Sequence, residues 1–308
     1  TSDMLQDGEN IHARMIQNNI ESDIILDNAL INMYGKCGNL VNAQKVFEKV
    51  LERDLFSFNA MIAAHAQHLH GNEAFHLLQQ MQLEGVGPDK VSYLGVLSAC
   101  SGLADLNVGK VIHAVIENSE FELDDVVGNA LVNMYGRCGS SIAEAEHVFN
   151  TLLHNDIVSW NAMLLAYVEQ GEGQKALQLY MHIQENGMSP DKLTTIFGLQ
   201  ACSTITMERE ESELFVAQEI GKSLHIDSCK KGFEIDDFLG CSLVKMYGKT
   251  NAITEAESVF GALSHHDVAS WNTMLSVYVE LMQSQDLSLT LCFGHRALCL
   301  YRQMERDC

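Results

Sequence analysis

Residues Asn28 to Gly38, NALINMYGKCG, recur 101 positions later as NALVNMYGRCG from Asn129, and a degraded third copy, CSLVKMYGK, begins at Cys241. A chain that copies itself at a fixed period is held to one kind of architecture. Each unit can bury its apolar face only against its neighbours, so the units stack, share a continuous core and expose long regular surfaces. A single buried active-site pocket is not expected of such a chain. Other landmarks keep the step: SFNAM from Ser57 returns as SWNAM from Ser159 and SWNTM from Ser270, and Pro88-Asp89 returns as Pro190-Asp191. The long period divides into three shorter units. The boundaries fall at 1–23 (partial), 24–54, 55–89, 90–124, 125–156, 157–191, 192–236, 237–267 and 268–308 (incomplete), which predicts one repeat array over 1–308.

Composition narrows what the array can do. At 308 residues and 47% hydrophobic content the chain is long enough for two ordinary domains, but a solenoid needs no such division. No uncharged apolar run reaches the roughly 18 residues of a membrane span, so no membrane insertion is expected. The first residue is Thr1 and Cys308 falls inside the last unit, so the natural polypeptide is expected to extend at both ends; residues 1–30 carry no cleavable signal pattern. Of nine cysteines, Cys37 matches Cys138 and Cys100 matches Cys202 in the repeat register, and no C-x-x-C occurs. They read as packing residues in a reducing compartment. Forty-one acidic against 19 basic residues give a net charge of −22 and a pI near 4.8. Generic attraction to nucleic acid is therefore not expected, and phosphate binding would need a local basic strip.

Within 55–89 the pattern predicts a first helix over Asn59 to Gln67, a second over Asn72 to Leu83, and an exit through Gly85 to Asp89. Gly85 suits a left-handed helix cap and Pro88 disfavours helix in the residue before it. The second helices repeat one apolar stripe at i, i+3, i+4, i+7: Ala43, Val46, Phe47, Val50; Ala74, Leu77, Leu78, Met81; Ala145, Val148, Phe149, Leu152; Ala176, Leu179, Tyr180, Ile183; Ala256, Val259, Phe260, Leu263. Such spacing puts four side chains on one helical face, which predicts core.

These motifs resemble the pentatricopeptide repeat family, specifically its plant-type arrays in which 35-residue, long and short repeats alternate. NALINMYGKCG with the AQKVF that starts at Ala43 resembles the short repeat. VSWNAM from Val158 with GMSPD from Gly187 resembles the 35-residue one, and LSAC from Leu97 with GKVIHA from Gly109 the long one. The resemblance implies an all-α, right-handed superhelical solenoid of stacked antiparallel helix pairs, with the first helices lining its concave face. It implies a non-catalytic protein of mitochondrion or chloroplast that binds single-stranded RNA for transcript processing, editing or stability. In the family a base is read by a residue one turn into the first helix together with the residue closing the repeat. By register those pairs are Asn28 with Asp54, Asn59 with Asp89, Asn129 with Asp156, Asn161 with Asp191 and, in the degraded copy, Cys241 with Asp267; Asn272 begins a pair whose closing residue is unresolved. The Asn plus Asp combination implies a pyrimidine-rich ligand. Leu94 and Ile196 occupy the equivalent place in the long units and cannot read a base by hydrogen bonding.

Other readings stay open at this stage. Asn and Asp also cap helices and close turns, so the same residues can be structural. Phosphate contacts fall by family register on Lys36, Arg137 and Lys249, but the 35-residue units carry Gln67, Glu169 and Glu280 there, and a carboxylate repels phosphate. Two units carry about ten extra residues, between Cys202 and Gly221 and between Trp271 and Ala297, each expected between the two helices of its unit. The first is acidic around Glu208, Glu210, Glu211 and Glu213, and the second runs near Ser284 to Thr290. Insertions sharing one edge suit an alternative function, an RNA-independent scaffold that docks other proteins of a large organellar assembly. Some relatives carry a C-terminal cytidine deaminase needing H-x-E and C-x-x-C, and neither is present. His12, His113 and His225 keep the repeat register and read as structural; His65, His68 and His70 lack the ligands that complete a metal site. No metal, no cofactor and no small-molecule substrate are expected, since phosphate-cradling and dinucleotide-binding glycine patterns are missing as well.

Overall fold

The computed structural model describes residues 2–18, 23–103, 106–118, 124–139, 142–152, 156–205, 211–233, 237–263, 265–282 and 287–307. Every regular element among them is an α-helix. The chain divides into two compact units, Thr1–Asn155 and Asp156–Cys308. In the first, α1 (Ser2–Gln17) precedes the pairs α2 (Ile24–Lys36) with α3 (Leu40–Lys49), α4 (Leu55–Gln67) with α5 (Gly71–Leu83), α6 (Lys90–Leu103) with α7 (Leu106–Glu117), and α8 (Asp125–Arg137) with α9 (Ile142–Thr151). In the second, α10 (Ile157–Glu169) pairs with α11 (Gly173–Glu185), α12 (Lys192–Thr204) with α13 (Glu211–Lys230), α14 (Asp237–Lys249) with α15 (Ile253–Ala262), and α16 (Val268–Met282) with α17 (Leu287–Asp307). Within each unit a first helix packs on its own partner and on the first helix of the next pair.

The first helix of 55–89 starts four residues earlier than its apolar pattern suggests, at Leu55. Asp54 accepts the Ser57 backbone N–H at 2.8 Å while the Asp54 N–H donates to Ser57 Oγ at 3.4 Å, a capping box that fixes the start upstream of Asn59. The exit of α5 follows expectation. Gly85 has φ +77°, its N–H donates to Gln82 O at 3.1 Å and the Val86 N–H to Met81 O at 3.0 Å, the double bond of a Schellman stop.

The predicted stripes of the second helices are core, with one exception. Ala43, Phe47, Leu78, Met81, Ala145, Val148, Ala176, Ile183 and Ala256 are all at most 1% exposed. In α11, Leu177 is buried and Leu179 only half-buried, because the helix face turns toward α12 through Leu177 and Tyr180. Burying one such side chain contributes roughly 1.5–3 kcal/mol, so a stripe of four outweighs any single cap. The registered histidines are structural. His12, His113 and His225 each place Nδ1 2.9 Å from the hydroxyl of Tyr34, Tyr135 and Tyr247, tying a second helix to the following first helix. Gly109 and Gly221 lie directly under Met134 Sδ and Met246 Sδ, where an added Cβ would force the methionine thioether to move, so glycine lets the same joint close in both places. Cys100, Cys138 and Cys202 are buried as packing residues, whereas Cys229, Cys292 and Cys299 are exposed.

The insertions are not simple loops between helices. Gly109 is the fourth residue of α7 but the equivalent Gly221 is the eleventh of α13; likewise Ala176 is the fourth of α11 and Ala297 the eleventh of α17. Most of the extra residues therefore extend the second helix at its N-terminal end by about two turns, at 3.6 residues per turn. Glu208, Glu210 and residues 284–286 lie outside the described residues, as do the side chains of Glu211, Glu213 and residues 287–290.

Candidate nucleic-acid interface

Each described residue that precedes a first helix at its cap is an aspartate. Asp23 accepts from Leu26 N (2.7 Å), Asp54 from Ser57 N (2.8 Å), Asp89 from Ser92 N (2.9 Å), Asp124 from Val127 N (2.9 Å), Asp156 from Ser159 N (2.9 Å), Asp191 from Thr194 N (2.7 Å) and Asp267 from Ser270 N (2.7 Å). The carboxylate satisfies an orphan amide and meets the positive end of the helix dipole, together worth about 1 kcal/mol per helix. So each described closing residue is a cap first.

The same carboxylates also hold the asparagines. Asn28 Nδ2 donates to Asp54 at 3.3 Å, Asn59 Nδ2 to Asp89 at 3.0 Å, and Asn161 Nδ2 to Asp191 at 3.2 Å. In the 35-residue units a third side chain closes the set: Ser92 Oγ donates to Asn59 Oδ1 at 2.6 Å and Thr194 Oγ1 to Asn161 Oδ1 at 2.8 Å. The short-unit asparagines lack that donor, and Oδ1 of Asn28 and of Asn129 is buried without a partner. Asn129 lies in α8 of the first compact unit, while Asp156 caps α10 in the second. Asn161 is only 7% exposed, Asn59 half-buried and Asn272 exposed on α16. Ile196 belongs to the core at 2% exposure and Leu94 is half-buried, in keeping with positions that read nothing.

Burial pushes the Asp54 and Asp89 carboxyls up, yet the hydrogen bonds from Ser57 and Asn28, and from Ser92 and Asn59, outweigh it and hold both below the ordinary carboxylate range. One turn before each reading position an apolar side chain stands in solvent: Ile25 (76% exposed), Phe56 (70%), Val91, Val126, Val158, Leu193 and Phe238 (71%). A helix places i and i+3 on the same face, so each of these lies beside its Asn, Leu, Ile or Cys. Exposed apolar surface at a repeated position offers flat ligands somewhere to stack.

The expected phosphate contacts are uneven. Lys36 and Arg137 are exposed in the last turns of α2 and α8, but Lys249 Nζ lies 2.8 Å from Glu280. His65 and His70 bring their rings to 5.7 Å, and His68 Nε2 lies 2.9 Å from Gly35 O. Among the described residues no group of three or more His, Cys, Asp or Glu is placed to hold a metal ion, and no helix is long and apolar enough to cross a membrane.

The sequence profile of the PPR repeat family matches residues 53–102 and 155–203, and that of the PPR repeat matches residues 28–55. A chloroplastic pentatricopeptide repeat-containing protein of Arabidopsis thaliana is 32% identical over 303 residues, covering 98% of this chain and 33% of its own length. A mitochondrial one from the same plant is 32% identical over 305 residues, covering 98% and 44%. The chain belongs to the pentatricopeptide repeat family. It spans 33%, 32% and 36% of the first three curated relatives it matches, about a third of their length. Among solved structures, the pentatricopeptide repeat protein PPR10 in complex with an 18-nt psaJ RNA element superposes with a TM-score of 0.72 at 17% identity, covering 96% of this chain and 42% of that one. The crystal structure of PPR10 from maize gives 0.62 over 89% and 44%. At that identity the likeness establishes the fold, an all-α superhelical repeat.

Two parts of this pentatricopeptide repeat surface escaped the sequence reading. The Ser or Thr three residues after five of the seven capping aspartates, at 57, 92, 159, 194 and 270, was legible as a repeated D-x-x-S/T capping signal. The exposed apolar positions were legible only as residues that break the polar face of an otherwise amphipathic helix.

Proposed function

We propose that the first-helix faces of this chain bind single-stranded RNA in a chloroplast or mitochondrion, where the protein holds a transcript for processing, editing or stabilisation. The observation that carries the reading is the repeated side-by-side placement of an exposed apolar side chain and a half-buried Asn or its substitute, as at Phe56 with Asn59. A base stacks on the first and meets the second. Each Asn that donates one Nδ2 hydrogen to its Asp keeps the other for a base carbonyl, which both uracil and cytosine present. The Asp therefore caps the helix and orients the reader at once. The names of the relatives, chloroplastic and mitochondrial, support the compartment, and the alternation of 35-residue, long and short repeats supports a plant-type array.

Fluorescence anisotropy of a short U-rich strand against an A-rich one at fixed salt tests this, with Asn59→Ala and Asn161→Ala in parallel. Tighter U-rich binding, weakened by about fivefold in each variant, is the expected result, since one net hydrogen bond is worth about 1 kcal/mol. Equally feeble binding of both strands sinks it.

A protein-docking role has its own support. Between α11 and α13 lies an open apolar groove lined by Leu177, Met181, Ile205, Val216 and Ile220, with Met181 47% and Val216 54% exposed. The two-turn extension of α13 supplies Val216. If the chain is a scaffold, Met181→Lys with Val216→Lys releases it from a large organellar assembly on a sucrose gradient while RNA affinity is kept; unchanged sedimentation removes this reading.

A further inference from the structure

The last described helix, α17, packs one side on α16 and leaves the other in solvent. Phe293, stacked on Tyr278 of α16 with ring centroids 6.2 Å apart, begins a half-buried side that continues through Ala297, Leu300 and Met304. Opposite it stand Leu291, 69% exposed, and Leu298, 60% exposed, with His295 between them. At 3.6 residues per turn, positions 291, 295 and 298 share one face. Cys299, exposed one turn after His295, brings its Sγ to 3.7 Å from His295 Nδ1 and 4.0 Å from Nε2. That pairing departs from the chain's other histidines and thiols. His12, His113 and His225 bond tyrosine hydroxyls, and Cys100, Cys138 and Cys202 are packed in the core. His295 meets a thiol instead, in the open.

We infer that His295 and Cys299 form half of a zinc site that a second copy of this chain completes. Zinc takes imidazole nitrogen at about 2.0–2.1 Å and thiolate sulfur at about 2.3 Å, and a tetrahedral angle between such bonds sets the two ligand atoms roughly 3.6 Å apart. The pair already stands at that separation. A closed tetrahedral site needs four ligands, and the chain by itself does not gather them. Cys292 lies about two turns before Cys299, roughly 10 Å along the helix axis, and no group of three or more His, Cys, Asp or Glu is placed to hold a metal ion among the described residues. The Arg296 guanidinium is bonded to Glu257, so it does not stand in the ion's place. A twofold-related copy brings the same two residues, and two imidazoles with two thiolates are a tetrahedral set that suits zinc. As each Sγ bonds the metal its proton leaves to solvent, two protons per ion. Leu291 and Leu298 flank the pair and lose their water against the partner copy. Those two and Tyr301, 46% exposed, fall well short of the roughly 20 residues a side of a stable interface, so the copies separate without the metal. The result is metal-dependent pairing of two chains through α17, independent of any RNA.

Sedimentation velocity of the full chain under a phosphine reductant, titrated with zinc chloride, is the test. The expected result is a monomer without metal, a dimer at one zinc per two chains, and a return to monomer on excess EDTA. Cobalt(II) in place of zinc should show the visible absorption of a tetrahedral thiolate site. Cys299→Ser and His295→Ala should each abolish the dimer and the cobalt band with helical content by circular dichroism unchanged. Each should weaken zinc binding by at least the roughly 10- to 100-fold that loss of an outer-shell partner costs. Cys292→Ser should behave as the natural chain. A dimer in the absence of zinc, a dimer that survives Cys299→Ser or is lost on Cys292→Ser, an equimolar zinc complex of the monomer, or no zinc binding overturns the site.

Discussion

Asn161 with Asp191 and Cys241 with Asp267 occupy the same register in two repeats of the second compact unit, and they have become different objects. Around Asp191 the cap, the asparagine and the Thr194 hydroxyl form a closed set: Thr194 Oγ1 donates to Asn161 Oδ1, and Asn161 Nδ2 donates back to the carboxylate. Around Asp267 the hydroxyl at the third helix position, Ser270, instead donates to the Asp267 backbone oxygen at 2.9 Å, and no amide arrives. The two sites differ at Asn161 against Cys241 and at Thr194 against Ser270, and where one carboxylate holds an amide the other faces an open cavity of about 260 Å³. An Asp that caps a helix is thus not excluded from binding; what its side chain is free to do depends on the residue one turn into the preceding first helix.

The largest expected difference is in stability. Asp191→Ala removes a cap and also strands the buried Asn161 amide, for about 2–3 kcal/mol in all. Asp267→Ala removes a cap from an exposed carboxylate and should cost only about 1 kcal/mol. Urea midpoints of the two variants measure this directly, and equal losses would break the contrast. The hydroxyls sharpen it. Thr194→Val keeps shape but leaves Asn161 Oδ1 without a donor in a site 7% exposed, for about 1–2 kcal/mol, whereas Ser270→Ala should lose less than about 1 kcal/mol.

Much of this contrast was written in the sequence, and the rest was not for identifiable reasons. The helix pairs and their core follow from apolar spacing, since Ala74, Leu78 and Met81 can face only one way, and the exits follow from Gly85 and Pro88. The start of α4 was missed because Asp54 is polar and carries no periodicity; its role lies in a hydrogen bond to Ser57, not in burial. The fate of the extra residues was missed because an insertion counted by length looks the same whether it loops out or extends a helix, and α13 and α17 extend. The pairing of Asn with Asp was legible as register. Its closure by Ser92 and Thr194, and its absence at Cys241, required side chains some 30 residues apart to be placed together.

The closed sets should also show in acid. Asp89 in the first compact unit is held below the ordinary carboxylate range, burial raising it and bonds from Ser92 and Asn59 lowering it further. A lowered folded value means that the stabilisation is fully present above the unfolded carboxylate range and is lost as pH falls through the folded value. After solvent screening the effect is below about 1 kcal/mol for so accessible a group. Melting temperature against pH should fall more steeply in acid for the natural chain than for Asp89→Asn; parallel curves would place the bonds around Asp89 outside the stability balance.

The smallest effect concerns charge at the edge of the open site. Lys249, in the last turn of α14, is the basic residue placed to meet a phosphate beside the 237–267 repeat, yet its ammonium lies 2.8 Å from Glu280 of α16. Both side chains are about a third or more exposed, so the pair adds at most about 0.5 kcal/mol to folding, and Glu280→Gln should barely move the urea midpoint. Binding responds differently. With the carboxylate gone, Lys249 is released to neutralise a phosphate and a repulsive charge leaves the same spot, so affinity for the U-rich strand should rise at low salt. The slope of log affinity against log salt should steepen by about 0.7, the share of one phosphate on a single strand. A slope unchanged by Glu280→Gln would mean that the backbone of the ligand does not pass Lys249.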